Sequence, residues 1–284
     1  MRQRAISSIG VVLIGLVPAL LGGWVFAVAF TAIAAIAYLE AIAITNPFQS
    51  TIRYVGLSLV ILAGLLAATG QDGNAIALLC ILSVGLPLAA SVFLTHEHGI
   101  EHWTSTTATT LYLALPTYAA ISLRGDEGFA ARDWLRNVAG IMPDVPAATG
   151  GGLAWFLLAL LVTWLSDTFA YLVGKTWGKT KLIPRVSPNK TVEGALGGLA
   201  AAALTAVICD IAFGMEIGIG LALVVGLVLG LVGQVGDLSE SMLKRARGVK
   251  DSSNLIPGHG GMLDRIDALV FVLAAAWLIA PVIS

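Results

Sequence analysis

The residues of this chain that could do chemistry gather in one stretch, 237-DLSESMLKRARGVKDSSNLIPGHGGMLDRID-267. Asp237, Glu240, Ser241 and Lys244 are spaced i, i+3, i+4, i+7, which is one face of a helix. An acid, a hydroxyl and a lysine on one stripe can hold a divalent cation and a phosphate together. For a helix end alone, a solvated stripe with a Glu240–Lys244 ion pair would serve as well. The second half of the stretch argues for more. Pro257-Gly258-His259-Gly260-Gly261 is a sharp turn, and glycines let backbone approach a ligand closely and aim N–H groups at an anion. The turn feeds a helix beginning near Met262, with Asp264 and Asp267 in its first turn. Acids there can cap the helix. They can also hold Mg2+, a hard cation that takes oxygen ligands and keeps substrate phosphates as co-ligands.

A second constellation lies in 166-SDTFAYLVGKTWGKTKLIPRVSPNKTVEGALGG-198. Asp167 sits inside an apolar run, and an acid within a membrane span marks a functional site by default. Lys175, Lys179, Lys181, Arg185 and Lys190 follow. Basic residues at such a boundary can simply contact anionic lipid. Ser187-Pro188-Asn189-Lys190-Thr191, however, is a polar turn with a cation and two hydroxyls, a composition that suits a phosphate. A third run, 96-HEHGIEH-102, could bind a transition metal through His98 and His102 at i, i+4. It reads better as a polar turn between two spans.

These residues need a scaffold, and the scaffold is hydrocarbon-soluble. The chain has 284 residues, 57% hydrophobic and only 12% charged. Soluble domains carry roughly a quarter charged residues. Net charge is −1, so the total favours no polyanion such as nucleic acid. Cys80 and Cys209 lie in apolar runs and form no disulfide framework. A span needs about 20 mostly apolar residues. Nine segments qualify: about 9–23, 25–44, 55–70, 75–94, 103–122, 152–174, 194–214, 216–236 and 264–283. The first reads as an uncleaved span rather than a leader, joined tightly to the second at Gly22-Gly23. The fold class is therefore all-α, a polytopic integral membrane protein with about nine transmembrane helices.

Positive charge sets orientation. With the N-terminus inside, thirteen of the sixteen lysines and arginines fall on the cytoplasmic side, and only Arg124, Arg132 and Arg136 fall outside. The same orientation puts loops 175–193 and 237–263 on one cytoplasmic face. Residues 1–150 read as a membrane-helix scaffold and 151–284 as the catalytic membrane domain. The outside loop 123–151 has room for a short interfacial helix around Trp134.

The run 241-SMLKRARGVKDSSNLIPGHGGMLDRID-267 resembles the signature of the phosphatidate cytidylyltransferase (CDP-diacylglycerol synthase) family. Ser241, Lys244, Arg245, Lys250, Asp251, Pro257, His259, Gly260, Gly261, Asp264, Arg265 and Asp267 fall in register with it, and the SDTFAY and SPNKTVEG segments are similar to that family's blocks. The resemblance is close over 160–284 and confined to helical character before that. It implies that CTP and phosphatidate give CDP-diacylglycerol and pyrophosphate at the cytoplasmic face of the cell membrane. Together with the place of Asp237 and Asp264 at the ends of two membrane helices in one charged cluster, it implies catalytic roles for Asp237, Lys244 and Asp264, and substrate contacts from Asp167, Ser187, Lys190, Ser241, Arg245, Lys250, His259, Gly260, Gly261 and Arg265. It implies Mg2+ on Asp237, Asp264 and Asp267, a monovalent cation such as K+ beside it, and a homodimer in membrane lipid. A CTP-dependent polyprenol or phytol kinase is the rival reading, and an ion-coupled transporter a more distant one. Polar residues clustered at one face, rather than mid-span, count against the transporter.

Overall fold

A computed structural model of the chain describes residues 13–46, 51–70, 74–95, 97–256 and 260–283. It is a helical protein with one two-stranded hairpin. After a helix over 13–21 (α1) come α2 (Gly23–Thr45), α3 (Arg53–Ala68), α4 (Ala75–Leu94), α5 (Gly99–Gly125) and the short α6 (Asp133–Ala139). A 3-10 turn (Ala147–Thr149) leads into α7 (Gly150–Trp177). The hairpin strands β1 (Lys181–Ile183) and β2 (Ser187–Thr191) then precede α8 (Val192–Phe213), α9 (Ile219–Ala246) and α10 (Leu263–Ile283).

The polytopic, all-α class expected from the apolar runs is what forms. Among the described residues, six helices are long and apolar enough to cross a bilayer: α2, α4, α7 with its leading turn, α8, α9 and α10. The helix α3 is apolar but only 16 residues long. The Thr-rich α5 is helical over 27 residues, but it does not reach the apolarity of the six. The first expected span, 9–23, lies partly outside the described residues. Its junction with α2 is a backbone break in which Gly22 and Gly23 both take positive φ, 68° and 50°, a conformation open to glycine at little cost. Large apolar side chains stand outward along these helices, including Ile81, Val92 and Phe93 on α4 and Leu204 and Ile208 on α8. Hydrocarbon around the protein removes any penalty for that exposure.

The chain divides into two compact units, Met1–Ser122 with Ala246–Ile266, and Leu123–Arg245 with Asp267–Ser284. This division by packing differs from the split at residue 150, which was drawn on charge. In the first unit Tyr38, Leu59, Leu79 and Leu113 are fully buried. Of the HEHGIEH run, residues 97 and 98 form a bend in which His98 has positive φ, and residues 99–102 already belong to α5, where the buried His102 places Nδ1 2.8 Å from Asn46 Nδ2. Among the described residues no group of three or more His, Cys, Asp or Glu is arranged to hold a metal. His96 lies outside the described residues.

In the second unit the helix expected around Trp134 is α6, with Trp134 half-exposed. Its main feature is the packing of α7 on α8. That packing is close because α8 offers glycine where the helices meet. A Cβ on Gly194 would lie 2.6 Å from the Ala170 carbonyl oxygen, and one on Gly198 2.9 Å from that of Ser166. Small residues let membrane helices approach backbone to backbone. Asp210 closes the far end of α8, accepting from the N–H groups of Ile217 and Gly218 at 3.0 and 3.1 Å.

Candidate active site

The segment read as a polar turn before α8 is the second strand of a hairpin. Strand β1 pairs antiparallel with β2, Lys181 opposite Thr191 and Ile183 opposite Ser187, with an irregularity between. The hairpin is fastened at its base. Thr191 is the N-cap of α8, its Oγ1 accepting from Gly194 N at 3.1 Å. Glu193 accepts from the backbone N–H groups of Lys179 and Thr180 at 3.1–3.2 Å. A residue with a side chain at Gly178 would strike the Gly174 carbonyl and Thr191. Ser187 thus begins β2, and Lys190 projects from its end at a fixed place.

That place is Asp237. The Lys190 ammonium forms an ion pair with Asp237 Oδ2. The pair joins the hairpin to α9, with side chains 32% and 25% exposed. Gln234, one turn earlier on α9, donates to the Ala195 carbonyl at 2.9 Å and holds α9 to α8. Asp167, Lys190 and Asp237 line one cavity of about 530 Å³ between α7, the hairpin, α8 and α9. Lys175 and Tyr171 share it, with the Lys175 ammonium 5.6 Å from the Tyr171 ring centroid. Leu182 and Leu238 supply apolar wall. Basic, acidic and apolar groups therefore face one space at the ends of membrane helices, which suits an anionic headgroup with apolar chains attached.

The stripe Asp237, Glu240, Ser241, Lys244 divides between two tasks. Asp237 pairs across to the hairpin. Glu240 is buried and pairs along the helix with Lys244, whose side chain is 11% exposed. The i, i+4 pair and the pair to the hairpin coexist on one helix face. Ser241 is half-buried and Arg245 exposed. Asp267, on the second-unit part of α10, lies in the field of Asp237, Glu240 and Asp167. Its Oδ1 accepts from Ala268 N at 2.8 Å.

The remaining predicted residues belong to the first unit, where the segment 247–263 is bonded to α2. Arg247 donates to the Ile44 and Thr45 carbonyls, both at 2.9 Å. Asp264 Oδ2 accepts from Ser252 N at 2.8 Å and from Gly261 N at 2.7 Å, and lies 2.8 Å from Ser252 Oγ, whose one proton serves either Asp264 or Glu40. These ties hold residues ahead of α10 rather than the first N–H groups of the helix itself. Gly260 has φ 79° and bonds through its carbonyl to Ile256 N. Lys250 and Arg265 are exposed, and Gly261 is buried. His259 lies outside the described residues.

Sequence reasoning passed over Glu40. It is 8% exposed on α2, and its carboxylate accepts from Ser253 Oγ, Met262 N, Ser252 Oγ and Leu263 N at 2.6–3.0 Å. The signal was present: Glu40 is the lone acid in the apolar run 25–44, and the argument applied to Asp167 applies equally to it.

The family described as the cytidylyltransferase family matches this chain over residues 2–283. The chain belongs to the cytidylyltransferase family. Relatives named phosphatidate cytidylyltransferase include that of Staphylococcus saprophyticus, 49% identical over 122 residues, which are 43% of this chain and 47% of the relative. That of Staphylococcus aureus strain COL is 50% identical over 124 residues, 43% of this chain and 47% of the relative. That of Staphylococcus haemolyticus is 46% identical over 127 residues, 45% and 49% of the two chains. The matched stretch spans about half the length of each relative.

The donor chemistry of this cytidylyltransferase-family chain fits a hard divalent cation. Asp167, Asp237 and Asp267 offer carboxylate oxygens within one another's electrostatic range. Neither ion pair of α9 uses Asp167 or Asp267. No protein cage of three such groups is formed among the described residues. Mg2+ does not require one, because it is commonly held by one or two carboxylates together with substrate phosphates.

Proposed function

We propose that the chain transfers a cytidylyl group from CTP to phosphatidate. The observation that carries this reading is the cavity of the second unit, where Lys190, Asp237 and Asp167 meet beside apolar wall. Membership of the cytidylyltransferase family and the names of the relatives support the same reaction. A phosphate oxygen of phosphatidate attacks the α-phosphorus of CTP. A new P–O bond forms, the bond between the α-phosphorus and the bridging oxygen breaks, and pyrophosphate leaves with the electron pair. The nucleophile belongs to the lipid, so no protein nucleophile is needed. Lys190 orients an anionic oxygen, and Asp237 holds the lysine. The hairpin and α9 fix both before the substrates arrive, which is how fixed charges lower a barrier. Leu182 and Leu238 keep water from the headgroup side.

Mg2+ is proposed at Asp237 and Asp267, with a monovalent cation such as K+ beside it, where it would neutralise charge on the departing pyrophosphate. Asp264 was expected in the same set. Its Oδ2 already takes the N–H groups of Ser252 and Gly261 within the first unit, so the carboxylates of the second unit carry the metal proposal. The charge bias supports a cell-membrane enzyme with a cytoplasmic N-terminus and a cytoplasmic site. A homodimer follows from family resemblance alone, and nucleic acid has no role in the scheme.

The test uses CTP labelled at either end, incubated with purified protein, phosphatidate and Mg2+. Cytidylyl transfer places α-label in lipid and γ-label in pyrophosphate. Label from the γ-position in lipid would make the protein a kinase, and no label in lipid from either would remove transferase chemistry.

A further inference from the structure

We infer that Glu40 is a positioning residue for the signature stretch, holding Ser252 and Ser253 at one end of the segment and Met262 and Leu263 at the other. The inference rests on the proposed cytidylyl transfer and on the substrate contacts that the family resemblance implies for Gly260, Gly261 and Arg265. One carboxylate holds both ends of the segment. On the leading side Ser253 Oγ donates to Oε1 at 2.6 Å, and Ser252 Oγ, whose one proton is shared with Asp264, lies 2.9 Å from Oε2. On the trailing side Met262 N donates to Oε1 at 3.0 Å and Leu263 N to Oε2 at 2.8 Å. Each oxygen therefore meets one hydroxyl from one side and one backbone N–H from the other. The two ends are brought together on an anchor from a different helix, more than 200 positions earlier in the chain.

The acid suits this task for a physical reason. Four donors converge on a buried point, and an ionised carboxylate is all acceptor, with about four lone-pair sites on two oxygens. A glutamine would present an NH2 group to donors at one of the two positions. The fit is close as well: a Cβ on Gly261 would collide with Glu40 Oε2 and Ser252 Oγ. Asp264 adds a second tie between the same ends, through Ser252 and Gly261. What Glu40 adds is attachment of these two ends to α2, a membrane helix. Gly260, Gly261 and Arg265 then keep fixed places when an anionic ligand binds.

Glu40→Gln tests this through KM, kcat and local hydrogen exchange, each compared with wild type in the same detergent. The expected result is a KM for CTP raised about tenfold with the KM for phosphatidate unchanged. Peptides covering 251–256 and 260–265 exchange at least tenfold faster, while α7 and α8 exchange as in wild type. Ser253→Ala removes one of the four donors and gives a smaller change in the same direction; it carries the test should Glu40→Gln not fold. Wild-type exchange in those peptides, or a lower kcat with both KM values unchanged, would overturn the inference. If the wild type forms no cytidylylated lipid, the proposed reaction fails and the positioning role fails with it. Faster exchange in Glu40→Gln would then show only that the carboxylate fastens the segment.

Discussion

Lys190 at the end of β2 and Asp237 on α9 form an ion pair across 47 positions of sequence. Both side chains are about a quarter to a third exposed at the cavity. A pair that wet contributes roughly 0–1 kcal/mol to stability. Lys190→Ala should therefore lower unfolding stability by less than about 1 kcal/mol, as read from denaturant unfolding in detergent. A loss near that of a buried pair would make the contact a structural strut rather than part of a site.

The contrast is Glu240 and Lys244, one turn apart on the same helix and nearly sealed. Removing one partner of a buried pair leaves an uncompensated charge, at about 3–5 kcal/mol. Lys244→Ala should lose about that much, whereas Glu240→Leu combined with Lys244→Met should recover most of it. Loss of turnover at position 244 then comes with loss of fold, unlike loss at position 190. Denaturation midpoints of the two variants and the wild type decide this. A Lys244→Ala protein as stable as wild type would return Lys244 to the role of a free phosphate ligand.

Gly194 sets the distance between α7 and α8, with the Ala170 carbonyl where a side chain would begin. Gly194→Ala should cost about 1–3 kcal/mol through overpacking. It should also reduce turnover, because Thr191 and Lys190 ride on the same helix start. Gly220→Ala is the control, since nothing lies within 4 Å of a Cβ there, and the change should be neutral or stabilising by up to about 1 kcal/mol. Equal stability of the two variants would mean that α7 and α8 are not held by that approach.

Orientation can be read across α7 alone. Asp144 and Arg185 are exposed on the two sides of that helix in sequence, whereas Thr149 is buried and bonded to Arg124. Cysteines at 144 and 185 should label from opposite sides, with 185 reached only from the cytoplasmic side. Labelling of 185 from outside would reverse the charge-based orientation.

Much of this arrangement can be read from sequence because membrane helices carry a local signature. Runs such as 25–44, 75–94 and 194–214 became helices within a few residues of their expected ends. Asp167 was legible as an acid inside such a run, and Lys190 and Asp237 as charges near the ends of others, where a charge needs a reason. The hairpin was not legible: SPNKT contains a proline and has no alternating apolar pattern, and its pairing with Lys181–Ile183 depends on Thr191 and Glu193 fastening its base. The stripe on α9 predicted one site, yet helical spacing alone cannot say that Asp237 reaches a strand while Glu240 keeps its lysine at i+4. Glu40 was missed for a similar reason, since its four donors lie more than 200 residues downstream.

The most direct test of the account is a double-mutant cycle on initial rates of CDP-diacylglycerol formation from α-labelled CTP and phosphatidate. Wild type, Lys190→Ala, Asp237→Asn and the double variant are compared at matched folded fractions. If the pair acts on one transition state, each single change should cost about 100-fold or more, and the double variant should be little worse than either. Near wild-type turnover in Lys190→Ala, with strictly additive losses in the cycle, would contradict a catalytic cavity built on these two residues.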